Sequence, residues 1–386
     1  MKAPGVLVLA IMLLLSAACS GGMSGTPPAT TASTAGAPAA TGDGFDRRAM
    51  LENITTGLIL PGHEALSASL NELQTAVQAF AGDPNPTTLA AAQDAWLAAN
   101  LARMAVRAYR IGPVDDSLLH NRLDNRPPRT PFIDDDILAG TMEITPEYIE
   151  SIGSSSVGLG AMEYLLFDPA NGDTAVLTAF TDAADAERRR AYLLALAEAM
   201  LPKAEALLQI WLADGQNYAQ AFMEADMDGG ELQGSINMLV NQMVADLEEI
   251  IGSRLGKPLG KRTNDMIRPD LVEAPYSGDS LPRIIATVDS LRATFNGGEG
   301  LGFDDYLNFL GAMYDDRLLS EAINAQFDAS LAALRAIDEP LETAVTTDQA
   351  QVEAAYEELR TLLVLFKVDM VNHLGLTLTF NDNDGD

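Results

Sequence analysis

The chain has 386 residues, 47% of them hydrophobic, which is enough for one large or two ordinary domains and too apolar for a disordered protein. Its 55 acidic against 24 basic residues give a formal charge of -31, which repels nucleic acid and anionic lipid surfaces and favours cations or polar small molecules as ligands. A single cysteine excludes an internal disulfide and Cys-ligated zinc, leaving carboxylates, three histidines, hydroxyls and arginines to carry chemistry.

The first residues, MKAPGVLVLAIMLLLSAACSGG, combine Lys2, an apolar run over 6–15 and small residues up to Cys19, the pattern of a secretory signal over 1–19. Leu15, Ser16, Ala17 and Ala18 before Cys19 resemble a bacterial lipobox, which implies a lipidated Cys19 as the mature N-terminus. Ser20 in place of Asp then implies sorting to the outer membrane, facing the periplasm. Residues 20–44 are almost all Gly, Ser, Thr, Ala and Pro and cannot bury apolar area, so they read as a flexible tether.

From Phe45 onward, apolar residues recur at three- and four-residue spacing and β-branched alternation is scarce, predicting an all-α fold. Helices are predicted over 46–80 (disturbed at Gly57 and Pro61), 87–111, 157–167, 185–212 with a kink at Pro202, 231–255, 281–295, 303–314, 316–336 and 347–374. The segments 112–146 and 256–282 lack that period and are rich in Pro, Asp and Arg; the second reads as an ordered loop. ASLNELQTAVQAF with the helix ending at Gly112, and ASLAALRAIDEPL with the helix ending at Gly375, match in phase. They predict two related antiparallel helical bundles made by duplication, 45–256 and 257–386, with a site at their interface.

In GLGAMEYLLFD, Glu163 falls on the helix face shared by Leu159, Gly160, Leu166 and Phe167, so the acid points inward, with the missing side chain of Gly160 beside it. A buried carboxylate needs a partner or a raised pKa. Along 87–111, Trp96, Asn100, Arg103, Arg107 and Arg110 form one stripe; three arginines there either neutralise acids such as Glu163 or present forks to an anionic ligand. Arg122, Asp124, Arg126 and Arg129 in one loop, and Lys261, Arg262, Glu273 and Ser277 in the other, are candidates for the same polar cluster.

The histidines are His63, His120 and His373. His63-Glu64 is no zincin, because Ser67 stands where the second histidine belongs. The acidic run starting at Glu224 lacks the twelfth-position Glu of an EF-hand, since Ser235 occupies it; the terminal acids 382–386 form either a solvated tail or a docked end. The 15 methionines, at helical spacing, are core fillers.

Gly158-Leu159-Gly160-Ala161-Met162-Glu163 resembles the G-x-H-x-x-E signature of the imelysin-like family, which includes insulin-cleaving membrane proteases. The block from Glu273 through Tyr276 and Ser277 to Ser280, together with AYRIGPV and HLGLTLTFNDNDGD, is similar to the same family, so the likeness spans nearly the whole mature chain. The resemblance implies a two-bundle helical fold, a site between the bundles, a place in the cell envelope and, in several relatives, a link to iron uptake. Together with the arginine stripe and the loop cluster, it gives a candidate binding site of Gly158, Gly160, Glu163, Arg107, Arg110, Arg126, Glu273, Tyr276, Ser277 and Ser280, for an iron or other divalent metal ion or a polar small ligand.

One departure stands out: the motif histidine is Gly160 here, leaving Glu163 as the sole candidate metal ligand, general base or catalytic acid of the motif. Three function classes follow. The first is a lipid-anchored binding or accessory protein linked to metal uptake, with envelope uptake partners. The second is a metallopeptidase using Glu163, and the third a polysaccharide-binding or structural lipoprotein.

Overall fold

The computed structural model describes residues 44–224 and 234–379. The signal segment with Cys19, the tether up to 43, positions 225–229 of the acidic run and the terminal acids 382–386 lie outside the described residues. Nine principal helices can be followed in chain order: α1 (Arg47–Ile54), α2 (Leu60–Gly82), α3 (Pro86–Ala105), α4 (Gly158–Leu166), α5 (Ala186–Trp211), α6 (Ser235–Glu249), α7 (Ser280–Asn296), α8 (Leu319–Arg335) and α9 (Gln349–Val364). Shorter helical turns fill much of the rest, and a two-residue hairpin of Met313–Tyr314 with Arg317–Leu318 is the one sheet among the described residues.

The helices follow from their apolar stripes. In α2, Leu66, Leu70, Leu73, Val77 and Phe80 recur at alternating steps of four and three and are all buried. The turn into α3 is fixed by Asn85, whose side chain accepts hydrogen bonds from the Thr87 and Thr88 amides while the Thr88 hydroxyl accepts from the Asn85 amide, with Pro86 at the first helical position. So short a turn makes α2 and α3 antiparallel.

α2 packs on α3 and α5 to form the first bundle, and α8 packs on α7 and α9 to form the second. Phe80 against Phe180 fills the first core, and Phe295, Phe327 and Phe366 meet ring to ring in the second. The two bundles join where α3 lies against α7, and one continuous apolar core runs through both. The described residues all belong to one compact unit. No helix among them is long and apolar enough to cross a membrane.

The all-helical expectation is met, with local differences, three of which bear on the site and the core. The disturbance at Gly57 is a wide π-type turn over Thr55–Ile59 between α1 and α2. The helix expected over 87–111 ends at Ala105 and tightens into a 3-10 turn at Arg107–Tyr109, because Arg107 turns away to carboxylates on α6. The helix expected over 303–314 stops at Phe309, where Gly311 adopts a left-handed φ of 63° and starts the hairpin.

α3 contributes Trp96 to the junction: its ring is buried, its Nε1–H donates to the Leu159 carbonyl at 2.9 Å, and it meets Phe167 edge-on at 5.1 Å. Trp96→Ala removes a large buried ring and the second hydrogen bond to that carbonyl, so urea unfolding should register a loss of roughly 3–5 kcal/mol. A loss under about 1 kcal/mol would mean that the ring does not hold α3 to α4.

Candidate functional site

α4 carries Glu163, fully buried, into the junction between the bundles. Gly158 begins the helix at φ 72° and bridges to Asp124, so that a Cβ at position 158 would collide with the Leu123 carbonyl. Only glycine admits this close backbone approach in the left-handed region. The loop carrying Asp124, Asn125 and Arg126 is thereby pressed onto the face of α4 that bears the acid.

Both Glu163 oxygens are taken. Oε1 accepts from the Tyr276 amide at 3.1 Å, the Ser277 amide at 2.9 Å and the Ser277 hydroxyl at 2.8 Å, and Oε2 accepts from Arg126 Nη1 in a buried ion pair. Two backbone amides, a hydroxyl and a guanidinium satisfy a carboxylate that burial would otherwise penalise.

The gap expected at Gly160 is filled. A Cβ built there would lie 3.2 Å from the Asn125 carbonyl and 3.4 Å from Arg126 Cγ, so the stem of Arg126 occupies the room that the missing side chain leaves. Arg126 is in turn fixed by Asp124 Oδ1, which accepts from its Nε at 2.8 Å, and its guanidinium lies 5.8 Å from the Trp96 ring centroid.

From Asp124 the charges alternate inward. Asp124 Oδ2 accepts from Arg283 Nη2 at 2.7 Å; the same nitrogen donates to Glu273 Oε1 at 2.8 Å; Glu273 Oε2 pairs with Arg254 Nε at 2.6 Å. Arg283 also donates to the Asn100 side-chain oxygen, and Arg254 to Thr287 Oγ1 at 3.0 Å. Burial opposes ionisation of Asp124, but Arg126 and Arg283 outweigh it and pull its pKa down to about 2; Glu273, facing Arg254 and Arg283, lies well below the usual carboxylate range. Around the rim, burial together with the Glu163 charge raises Asp279 and Glu342, while the Tyr164 hydroxyl donates to Asp134 at 2.7 Å and its ring meets Tyr276 at 5.2 Å.

Most of the predicted residues converge. Gly158, Gly160, Glu163, Arg126, Glu273, Tyr276 and Ser277 form the centre, and Ser280 supports it, its Oγ accepting from the Ala274 amide at 2.8 Å. Arg107 and Arg110 do not. Once α3 has ended, Arg107 pairs with Asp246 at 2.8 Å and with Glu249, and Arg110 lies 3.3 Å from Asp115. The arginine that neutralises Glu163 thus comes from the loop and not from the stripe.

Sequence reading missed Arg254 and Arg283, although Arg283 shares the inward face of α7 with Thr287, a polar pair in a buried stripe that could have marked it. Lys261 is elsewhere, paired with Glu353 at 2.9 Å, and Arg122 is spent on the Ile149 and Ile152 carbonyls.

These residues do not fit a metal. Position 160 offers no imidazole, each Glu163 oxygen already faces donors, and no three His, Cys, Asp or Glu side chains among the described residues are grouped to hold an ion. His63 and His120 are buried apart from Glu163, in the first bundle.

A family model described as Imelysin (Peptidase M75) matches residues 59–366. The iron-regulated protein A of Synechococcus elongatus is 22% identical over 309 residues, 78% of this chain and 79% of that protein. An imelysin-like protein from Psychrobacter arcticum 273-4 superposes with TM-score 0.68 at 17% identity, over 87% of this chain and 97% of the other. A structure from Parabacteroides distasonis ATCC 8503 does so with TM-score 0.68 at 19% identity, over 86% and 97%.

Glu163→Leu strands Arg126 against a buried apolar side chain, and urea unfolding should show a loss on the order of 3–5 kcal/mol; unchanged stability would mean that the pair is dispensable. A second expectation concerns pH. Burial first, then the charge of Arg103, lowers His63 from 6.5 to about 3, and burial with Arg110, Arg103 and Arg107 does the same to His120. The unfolded chain therefore binds more protons between those values. Stability is complete above about pH 6.5 and falls as pH drops from there toward 3. Urea midpoints should already decline between pH 7.5 and 5, less so in His63→Phe; a flat profile would contradict the neutral buried imidazoles.

Proposed function

The chain belongs to the imelysin family, and from that premise we propose that it is a lipid-anchored binding or accessory protein of the bacterial cell envelope, linked to iron uptake and not to peptide hydrolysis. The observation that carries this reading is the closure of Glu163. A general base or metal ligand needs a lone pair directed at water or at an ion, whereas Glu163 is fully buried with both oxygens on protein donors: two amides and the Ser277 hydroxyl on Oε1, and Arg126 on Oε2. Arg126 brings a permanent positive charge to the acid, supplying the charge balance that a metal would supply in a site with the motif histidine.

The rim is the natural place for a ligand. Asp134, Asp279 and Glu342, with the Tyr164 and Tyr276 rings, surround the closed centre; burial first, and then the Glu163 charge, raises Asp279 and Glu342, and an added cation would favour their ionised forms. A metal complex or polar cationic ligand, held through its outer atoms, suits that rim and the overall charge. Support for the iron link comes from the relative named iron-regulated protein A. The lipobox at Cys19 and the tether over 20–44 support the anchor.

Titration calorimetry with Fe, Zn, Ca and Mn should give the same isotherms for the native protein and Glu163→Gln, and neither should show metal-dependent cleavage of an unfolded protein substrate. Cleavage abolished by both chelator and Glu163→Gln would overturn the proposal. A strain lacking the gene should grow poorly when iron is limiting, with rescue by the native protein but not by Cys19→Ala; equal growth would remove the iron link.

A further inference from the structure

Six arginines lie on α3, in the turn after it or along the chain of charges at the junction, and five meet carboxylates: Arg107 with Asp246, Arg110 with Asp115, Arg126 with Glu163, and Arg254 and Arg283 with Glu273. The sixth, Arg103 on α3, is 4% exposed, forms no ion pair with a carboxylate of the described residues, and has its Nε buried without a hydrogen-bond partner. Burial first, then the charges of Arg107, Arg110 and Arg283, outweigh the opposing pull of Asp124 and bring its pKa down to about 10, so it remains a cation at neutral pH.

Its surroundings are unusual in the same way. His63 on α2 feels the charge of Arg103 on the antiparallel α3, and a Cβ at neighbouring Gly62 would come within 3.0 Å of Val106 Cγ1, just past the end of α3. Both His63 ring nitrogens are buried without partners. The His63 ring lies 6.3 Å from that of Trp211, whose Nε1–H is also unpartnered, and Trp211 lies 4.9 Å from Tyr218, whose hydroxyl is buried and unbonded. His120, buried near Arg103, leaves Nδ1 without a partner.

Buried polar groups are nearly always hydrogen-bonded, and an isolated one calls for an explanation. Here several, each able to donate, lie in the same part of the first bundle as a cation that no carboxylate of the described residues pairs with, Asp124 acting on it only at longer range. A water molecule would bond the donors but leave the guanidinium without an ion-pair partner, whereas an anion meets both needs.

We propose that Arg103 anchors a buried site for a small anion, a halide or a compact oxyanion or carboxylate, completed by the N–H groups of His63, His120 and Trp211 and by the Tyr218 hydroxyl. The site is separate from the Glu163 centre and does not depend on the function proposed above. Its occupant neutralises the first bundle where α2, α3 and α5 meet.

The test compares thermal midpoints at constant ionic strength in chloride, phosphate and acetate, and locates bromide by anomalous scattering in crystals of the native protein. The expected results are a midpoint that rises with the concentration of one of these anions, loss of that rise in Arg103→Gln, and a bromide peak within hydrogen-bond reach of the Arg103 guanidinium. An anion-specific rise that survives in folded Arg103→Gln overturns the proposal. So does the absence of both the rise and the peak, and a halide seen only at molar concentration with no shift in midpoint is an adventitious ion and overturns it equally. If Arg103→Gln does not fold, the bromide position and the anion series on the native protein decide.

Discussion

The junction between the bundles depends on a chain of alternating charges: Glu163, Arg126, Asp124, Arg283, Glu273 and Arg254, each bonded to the next. No member is stable there alone, because removing a charge from water costs several kcal/mol and only close opposite charges and extra hydrogen bonds offset that cost. The members come from four separate parts of the sequence, the loop after α3, α4, the end of the α6 helix segment, and α7 with the loop before it. The network therefore fixes how those parts meet, and a half-formed version would be worse than an apolar core. Such a requirement favours one arrangement of the two bundles over alternatives that would pack the same apolar stripes.

The glycines of α4 make this geometry accessible. Gly158 allows the loop backbone to approach, and Gly160 leaves room for the Arg126 stem. A histidine at position 160 would compete with Asn125 and Arg126 for the same space, so the glycine there and the buried guanidinium are two sides of one local packing solution. The partner of the buried Glu163 is a residue of the chain itself.

Much of this was legible in the sequence. Three- and four-residue periodicity marks the helices, and the inward phase of Glu163 follows from Leu159, Leu166 and Phe167 around it. The two loops rich in Pro, Asp and Arg carry Asp124, Arg126, Glu273 and Ser277 into the site, as their composition suggested. What periodicity could not give is where a helix ends. Arg107 and Arg110 continue the stripe of Trp96, Asn100 and Arg103 on paper, but the helix stops at Ala105, and tertiary pairing with Asp246 and Glu249 redirects Arg107. Likewise, Gly160 reads as a vacancy in one dimension, since nothing in the local sequence states that a side chain from a loop more than thirty residues earlier fills it. Buried arginines on otherwise apolar helices, Arg254 and Arg283, carry little signal until their acids are found across the junction.

The account stands on the coupling between Arg126 and Glu163, and a double-mutant cycle measures it. Urea unfolding of the native protein, Arg126→Met, Glu163→Gln and the double variant should give a coupling energy on the order of 2 kcal/mol or more, with the double variant more stable than the two single losses added together would allow. Additive losses, with a coupling under about 0.5 kcal/mol, would show that the guanidinium does not hold the buried acid, and would contradict the closed-centre reading of this site.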